Sequence, residues 1–381
     1  MAVLTAESVR LESDALHARV RAMIGAFEAG RAMPESFDTL AADLARFQAQ
    51  HVPGYGRLCA ARGVDPRAIA RASEAPAVPA EAFKFARVFA FDERDAAFTF
   101  RTSGTSGATV RGAHAMRTAA SYDAAALAFG AAMFARGLEK RVPVVVIGPS
   151  DAEAPDSSLS HMCALFARAF GAPDGAGGRT FFVRGGALDV DALRERFASL
   201  SRDVPALVLA TSFGLVHWLD AIGSAVVPLP PRSRVMQTGG YKGRSREVSA
   251  VDLRRAVAQA FAIDERAVVA EYGMTELSSQ FWEATLVDPG AKHGLYAEPP
   301  WARVAVVDPE TLSPVSDGEV GIARIEDLAN VDSAFAILTQ DRVRRVGERF
   351  ELLGRAPGAH PRGCSIALDE MLSAEADDAS A

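Results

Sequence analysis

A chain of 381 residues, 49% of them hydrophobic and with a mean hydropathy of +0.08, can bury a sizeable core in one large or two ordinary domains. A net charge of −7 and an isoelectric point near 5.6 argue against nucleic acid as a partner, and no run of about eighteen uncharged apolar residues marks a membrane span. Cys59, Cys163 and Cys364 are odd in number and far apart, so they indicate neither a disulfide framework nor a zinc knuckle; residues 1–10 lack a signal-type apolar region, and the expectation is a soluble, cytoplasmic protein.

Apolar residues at three- and four-residue spacing predict amphipathic helices over residues 8–29 and 37–62, the second interrupted at Pro53 and Gly54. Pro76 and Pro79 mark an extended segment leading to Phe83, Lys84 and Phe85. Phe89, Phe91, Phe98 and Phe100 then alternate like a strand into Arg101-Thr102-Ser103-Gly104-Thr105-Ser106-Gly107. Hydroxyls and glycines so closely spaced let O–H and backbone N–H groups converge on one anion. The loop lacks the Gly-Lys-Ser/Thr of a Walker A sequence and the Gly-x-Ser-x-Gly of a nucleophile elbow.

Beyond the loop, buried strands alternate with helices. Strands are predicted over 142–147, 180–183, 206–210, 234–237 and 268–271, with helices over 157–170, 189–200, from Ser212 through Trp218, and 248–261. Continuous apolar strands between helices imply a parallel sheet covered on both faces. Ser150, Thr211, Gly239 and Tyr272 then lie at strand carboxyl ends, where open α/β sheets bind ligands. From Trp301 shorter strands at 304–307, 321–325, 334–338 and 349–352 predict an antiparallel sheet or small barrel beside the parallel region. Gly358, Pro361 and Gly363 loosen the chain, and an acidic tail runs over 370–381. The resulting division is a helical part (1–95), an α/β core (96–300), a β-rich part (301–355) and a short tail (356–381) carrying Cys364.

Only four of the 41 basic residues are lysine: Lys84, Lys140, Lys242 and Lys292. Where arginine dominates, a retained lysine marks a place that needs a compact ammonium, and Lys84 and Lys242 lie beside motifs. Cys364, two residues after Arg362 in a Gly- and Pro-rich stretch, reads as an accessible thiol inclined to the thiolate.

The phosphate loop followed by Glu271-Tyr272-Gly273-Met274-Thr275-Glu276 resembles the adenylate-forming superfamily. Residues 78–84, 237–243, Thr339-Gln340-Asp341 and Arg362-Gly363-Cys364-Ser365 fall in the order of one of its branches. The ordered set resembles the acyl-protein synthetases, the long-chain-fatty-acid–protein ligases of the bacterial bioluminescence fatty-acid reductase system. The resemblance implies the large N-terminal α/β domain of adenylate-forming enzymes, with mostly parallel sheets covered by helices, a small antiparallel barrel-like part and a truncated C-terminal domain. It implies ATP and Mg²⁺ as well. Thr102, Ser103, Gly104, Thr105, Ser106 and Gly107 would cover the β- and γ-phosphates. Tyr272 and Gly273, with Gly239 and Gly240, would receive the adenine, and Thr275 would meet the α-phosphate. Glu276 would hold the metal, and Asp341 with Arg355 the ribose. Cys364 would carry the acyl group before an acyl reductase partner receives it. Fewer than thirty residues follow Arg355, none of them lysine, so Lys84 and Lys242, or Arg111, are expected to supply the charge that a C-terminal lysine brings elsewhere in the superfamily. The substrate class implied is a fatty or other carboxylic acid. An acyl- or aryl-CoA ligase and a non-catalytic nucleotide-binding subunit of a reductase complex are the alternatives. His114 and His161 read as structural.

Overall fold

The amphipathic spacing at the N-terminus forms α1 (Ala6–Glu28), α2 (Phe37–His51) and α3 (Pro53–Ala61) in the computed structural model, which describes residues 6–102, 110–138, 141–172, 179–239, 248–355 and 362–372. Ser36 caps α2 by accepting from the Thr39 N–H at 3.1 Å. Pro53 falls in the first turn of α3, where a helix has no use for an N–H. The short strand β1 (Val78–Pro79) and the single turn α4 (Ala82–Phe85) follow. Of the expected alternation from Phe89 onward, only β2 (Phe98–Arg101) is strand. Asp92 accepts from the Arg94 N–H and winds residues 93–95 into a 3-10 turn instead. β2 pairs antiparallel with β3 (Ala113–Met116), with Phe100 opposite His114.

The helix α5 (Ala120–Met133) has no counterpart in the sequence pattern. It packs against α1, α6 and the sheet, so it is apolar nearly all round and lacks a polar stripe. The strand–helix alternation then runs β4 (Val144–Ile147), α6 (Ser158–Phe170), a small hairpin of β5 (Val183–Arg184) and β6 (Ala187–Leu188), α7 (Val190–Ala198), β7 (Leu207–Thr211), α8 (Ser212–Ile222), β8 (Arg234–Thr238), α9 (Ala250–Phe261) and β9 (Val268–Tyr272). Ser157, Asp189, Thr211 and Ser249 start the four helices, each accepting the backbone N–H three residues on. The strands β4, β7, β8 and β9 pair in parallel in that order. Their side chains alternate between two cores. Leu207, Leu209, Met236 and Val269 face the side of α5 and α6, and Val208, Ala210, Val235 and Val268 face that of α7, α8 and α9. Burial on both faces is why these strands are continuously apolar.

The β-rich part comprises β10 (Phe281–Glu283), β11 (Leu295–Ala297), β12 (Ala302–Val307), β13 (Val320–Asp327), β14 (Ala336–Val346) and β15 (Arg349–Arg355). It does not form a sheet beside the parallel region. β10 pairs with β9, placing Trp282 opposite Glu271, and β11 joins β10 to β15. Hydrogen bonding therefore runs unbroken through one mixed eleven-stranded sheet, β12-β13-β14-β15-β11-β10-β9-β8-β7-β4, with β1 added in parallel to β14. Only the β9-β8-β7-β4 end of that path is parallel.

Residues 362–372, expected as part of a loose tail, form α10 (Arg362–Leu372) against α3 and β1. Arg57 donates to the Met371 carbonyl at 2.7 Å, Arg62 meets Glu370 at 2.6 Å, and the Met371 side chain is fully buried. Gly363 permits the approach, because a Cβ there would lie 2.7 Å from Leu312 Cδ2. Among the described residues no helix is long and apolar enough to cross a membrane.

One polar cluster fastens α1 to the rest. His17 meets Ser121 Oγ at 2.7 Å and Asp332 Oδ2 at 3.0 Å, while Ser13 also donates to Asp332. Arg117 lies 3.5 Å from the same carboxylate. Burial pushes the Asp332 pKa up, but the His17 hydrogen bond and charge, Ser13 and Arg117 together hold it below its ordinary value. Removing the carboxylate takes a buried hydrogen-bond partner from both His17 and Ser13, while Arg117 keeps Asp14 at 2.7 Å, so Asp332→Ala should lower unfolding stability in urea by about 2 kcal/mol. A loss below about 1 kcal/mol would show that the cluster does not brace α1.

Candidate active site

The parallel strands end side by side, and several of the candidate residues stand at or just beyond their last positions. Gly239 follows β8 with φ +71°, a conformation that favours glycine, and its carbonyl accepts from Ser212 Oγ at 2.8 Å. Tyr272 ends β9. Its ring packs among Phe281, Tyr296 and Phe350, and its hydroxyl donates to Asp341 Oδ2 at 2.7 Å. Asp341 lies on β14, opposite Arg355 of β15, whose Nε is 3.8 Å from Oδ1. Burial first, then Asp341 and Glu276, pushes the Tyr272 phenol well above its usual pKa, so it remains a hydrogen-bond donor. Residues 69 apart in sequence are thus brought into direct contact.

The segment after Tyr272 leaves the sheet under tight control. Gly273 leaves room for the Glu271 carboxyl, since a Cβ there would sit 2.6 Å from Oε1 and displace it. The Thr275 carbonyl lies 2.8 Å from His114 Nδ1, and the Glu276 carbonyl accepts from Asn330 Nδ2 at 2.8 Å. Asp327 accepts from the backbone N–H groups of Ser278 and Ser279, both at 2.8 Å. Glu276 itself is 7% exposed.

At the base of the phosphate loop, the N–H of Thr102 donates to the Gly112 carbonyl and Gly112 N–H returns to Thr102 Oγ1, each at 2.9 Å. Arg111 donates to the carbonyls of Thr102 and Arg101 and to Asp156. Its guanidinium is thereby committed to holding the two sides of the hairpin together, rather than offered to phosphate as expected. Lys84 stands beside this base on α4. Its Cγ is 3.4 Å from where a Gly112 Cβ would be, and its ammonium is 3.8 Å from Glu81. Ser103, Gly104, Thr105, Ser106, Gly107, Gly240 and Lys242 lie outside the described residues.

A family model described as acyl-protein synthetase, LuxE, matches residues 36–373. The chain belongs to the acyl-protein synthetase family. A long-chain-fatty-acid–luciferin-component ligase of Aliivibrio fischeri is 24% identical over 158 residues, which is 39% of this chain and 40% of the relative. The match therefore spans less than half the length of that relative. A solved 2-hydroxyisobutyryl-CoA ligase, in complex with 2-HIB-AMP and CoA, resembles the chain with a TM-score of 0.59 at 14% identity, covering 92% of this chain and 70% of its own. ATP-bound MatB from Rhodopseudomonas palustris gives a TM-score of 0.49 at 16% identity, covering 71% and 50%. The fold is that of the adenylate-forming enzymes.

In this family member Cys364 is not the accessible thiol expected. It is 2% exposed on α10, packed against Val307, Ile322, Leu338 and Leu312, with Sγ 3.9 Å from the Thr339 carbonyl. Burial, with a smaller contribution from Glu81, pushes its pKa up to about 12, the opposite of activation by a neighbouring arginine. The thiol nevertheless lies beside two motif segments, those of Glu81–Lys84 and Thr339–Asp341. His161 bonds Asp123 at 2.7 Å inside a ring cluster with Phe98, Phe100 and Tyr122, a structural role.

Sequence patterns assign no role to Glu271. Its side chain faces the core, where the Thr238 hydroxyl of the neighbouring strand donates to it, and burial pushes its pKa from 4.5 to about 7. The folded chain thus keeps a proton that the unfolded chain releases above pH 4.5. Stability from this group is fully present below that pH and is lost as pH rises through 7. Glu271→Gln removes the proton exchange. Its stability relative to the unsubstituted protein should rise by roughly 3 kcal/mol between pH 4.5 and 8, measured by urea unfolding at both. A pH-independent difference would mean that Glu271 ionises normally in the fold.

Proposed function

We propose that this chain is an ATP-dependent ligase that joins a carboxylic acid, a long-chain fatty acid in the first instance, to a protein thiol through an acyl-adenylate. The observation that carries this reading is the Tyr272–Asp341 contact beside Glu276 at the carboxyl ends of the parallel strands. In the first step a carboxylate oxygen bonds to the α-phosphorus of ATP, the bond from that phosphorus to the bridging oxygen breaks, and pyrophosphate leaves. Asp341 would accept the ribose hydroxyls, Tyr272 and Gly239 would flank the adenine, and Thr275 would meet the α-phosphate. The work of these residues is positioning and charge stabilisation.

The donor set fits Mg²⁺. Glu276 supplies a buried carboxylate at the site. Mg²⁺ takes one or two carboxylates and completes its shell with phosphate oxygens and water. When bound it would neutralise charge on the phosphates, with Glu276 as its protein ligand. Lys84, and Lys242 by resemblance, would add the compact positive charge.

In the second step the sulfur of Cys364, having lost its proton, attacks the acyl carbonyl carbon, the bond to the phosphate oxygen breaks, and AMP leaves. Burial of that thiol means α10 must lift from Leu312 and Leu338 before transfer. The acyl group would pass from there to a reductase partner. The same burial favours one alternative, an acyl-CoA ligase in which free coenzyme A replaces Cys364 as acceptor.

Glu276→Gln should reduce acid-dependent exchange of pyrophosphate into ATP by about 100-fold or more while leaving the circular dichroism spectrum unchanged. Retained exchange would remove the carboxylate from the reaction and leave the nucleotide-binding-subunit alternative. With radioactive fatty acid and ATP, the unsubstituted protein should acquire a hydroxylamine-labile label and Cys364→Ser should not, although both release pyrophosphate. Label passing to coenzyme A in both proteins would establish the alternative. Lys84→Arg should form acyl-AMP poorly if a point charge is needed, and full activity would return Lys84 to the surface.

A further inference from the structure

We propose that His114 is the positioning residue that sets the phosphate-loop hairpin in register with the Thr275–Glu276 segment. This rests on the roles given above to the loop, Thr275 and Glu276. His114 lies on β3, the returning strand of the hairpin, and its Nδ1 is 2.8 Å from the Thr275 carbonyl. A carbonyl only accepts, so Nδ1 carries the proton and the imidazole donates.

Three side chains fasten residues 275–279 among the described hydrogen bonds. Asn330 and Asp327 hold the segment to the connection between β13 and β14. His114 ties it to the hairpin. Its ring also meets Phe83 edge-on at 5.4 Å, on the same short helix as Lys84. One buried ring, 2% exposed, therefore joins the returning strand of the hairpin to two of the motif segments, those of Phe83 and Thr275. Below it lies a cavity of about 10 Å³ shared with His17, Ser121, Asn330 and Asp332, room for one water.

The chemical need for such a tie is geometric. The group that meets the α-phosphate and the loop that covers the β- and γ-phosphates must stay in fixed relation for in-line displacement, and a shift of about 1 Å can cost about 100-fold in rate. An asparagine places its amide nitrogen where His114 has Nδ1. Glutamine carries the nitrogen one bond too far, and leucine has none.

The test measures pyrophosphate exchange, as kcat and KM for ATP, in H114N, H114Q and H114L. It also measures backbone hydrogen exchange over residues 98–102 and 274–279. H114Q and H114L should lose about 100-fold in kcat with KM for ATP within about 3-fold, whereas H114N should stay within about 5-fold of the unsubstituted protein. Both peptide segments should exchange faster in H114Q and H114L and not in H114N. If H114L does not fold, the comparison of H114N with H114Q decides alone. Equal losses in all variants, no loss in any, or a loss confined to KM would overturn the proposal. If the unsubstituted protein exchanges pyrophosphate with no acid, the adenylation reading fails and hydrogen exchange decides: unchanged protection of residues 274–279 in H114Q overturns the tie, and lost protection upholds it.

Discussion

The carboxyl end of the parallel strands depends on one carboxylate with no contact to solvent. Asp327 is 0% exposed and accepts hydrogen bonds from Ser278 N, Ser279 N, Ser279 Oγ and Ala329 N. Burial opposes its charge and raises its pKa, while each of these donors pulls the other way. Around it residues 327–333 run irregularly through the interior, where unpaired backbone would be costly. Gln48 of α2 satisfies the carbonyls of Asn330 and Val331 and the N–H of Phe335, and Ser333 bonds the Val88 carbonyl. Asp332 then engages His17 of α1. The segment around Glu276 is held by a densely hydrogen-bonded polar core, which fixes position more sharply than apolar packing of the same volume.

That core explains what the sequence could and could not announce. The parallel strands were legible because burial on two faces leaves an uninterrupted apolar run, as in Val144–Ile147 and Leu207–Thr211. Their carboxyl ends, Gly239 and Tyr272, followed from the same pattern. The stretch from Glu326 to Ser333 falls between the strands predicted at 321–325 and 334–338 and carries no expectation of its own, because composition cannot reveal that partners on α1, α2 and the Ser278–Ser279 backbone await it. The helix α5 stayed hidden for the opposite reason, having almost no polar side to give a period. The joining of the two sheet regions rests on β10 and β11, three residues each, too short for any alternation to register.

Arginine and lysine divide the work at the phosphate hairpin as their shapes require. The planar fork of Arg111 reaches two carbonyls and a carboxylate at once, which staples strands and leaves little of it to move. Lys84, half-buried, keeps a single charge on a flexible stem near Glu81. In a chain that otherwise prefers arginine, the staple and the flexible single charge are different tools.

The buried state of Cys364 has a consequence for survival under oxidising conditions. Peroxide and electrophiles attack thiolate, and a thiol with its pKa near 12, sealed beneath α10, offers almost none at neutral pH. At rest the chain is therefore redox-silent at this position, with no sulfenic acid to form and no adduct to repair. Under the proposed transfer step, damage would be confined to the interval in which the helix is lifted, so exposure to an oxidant would be counted in turnovers rather than in hours.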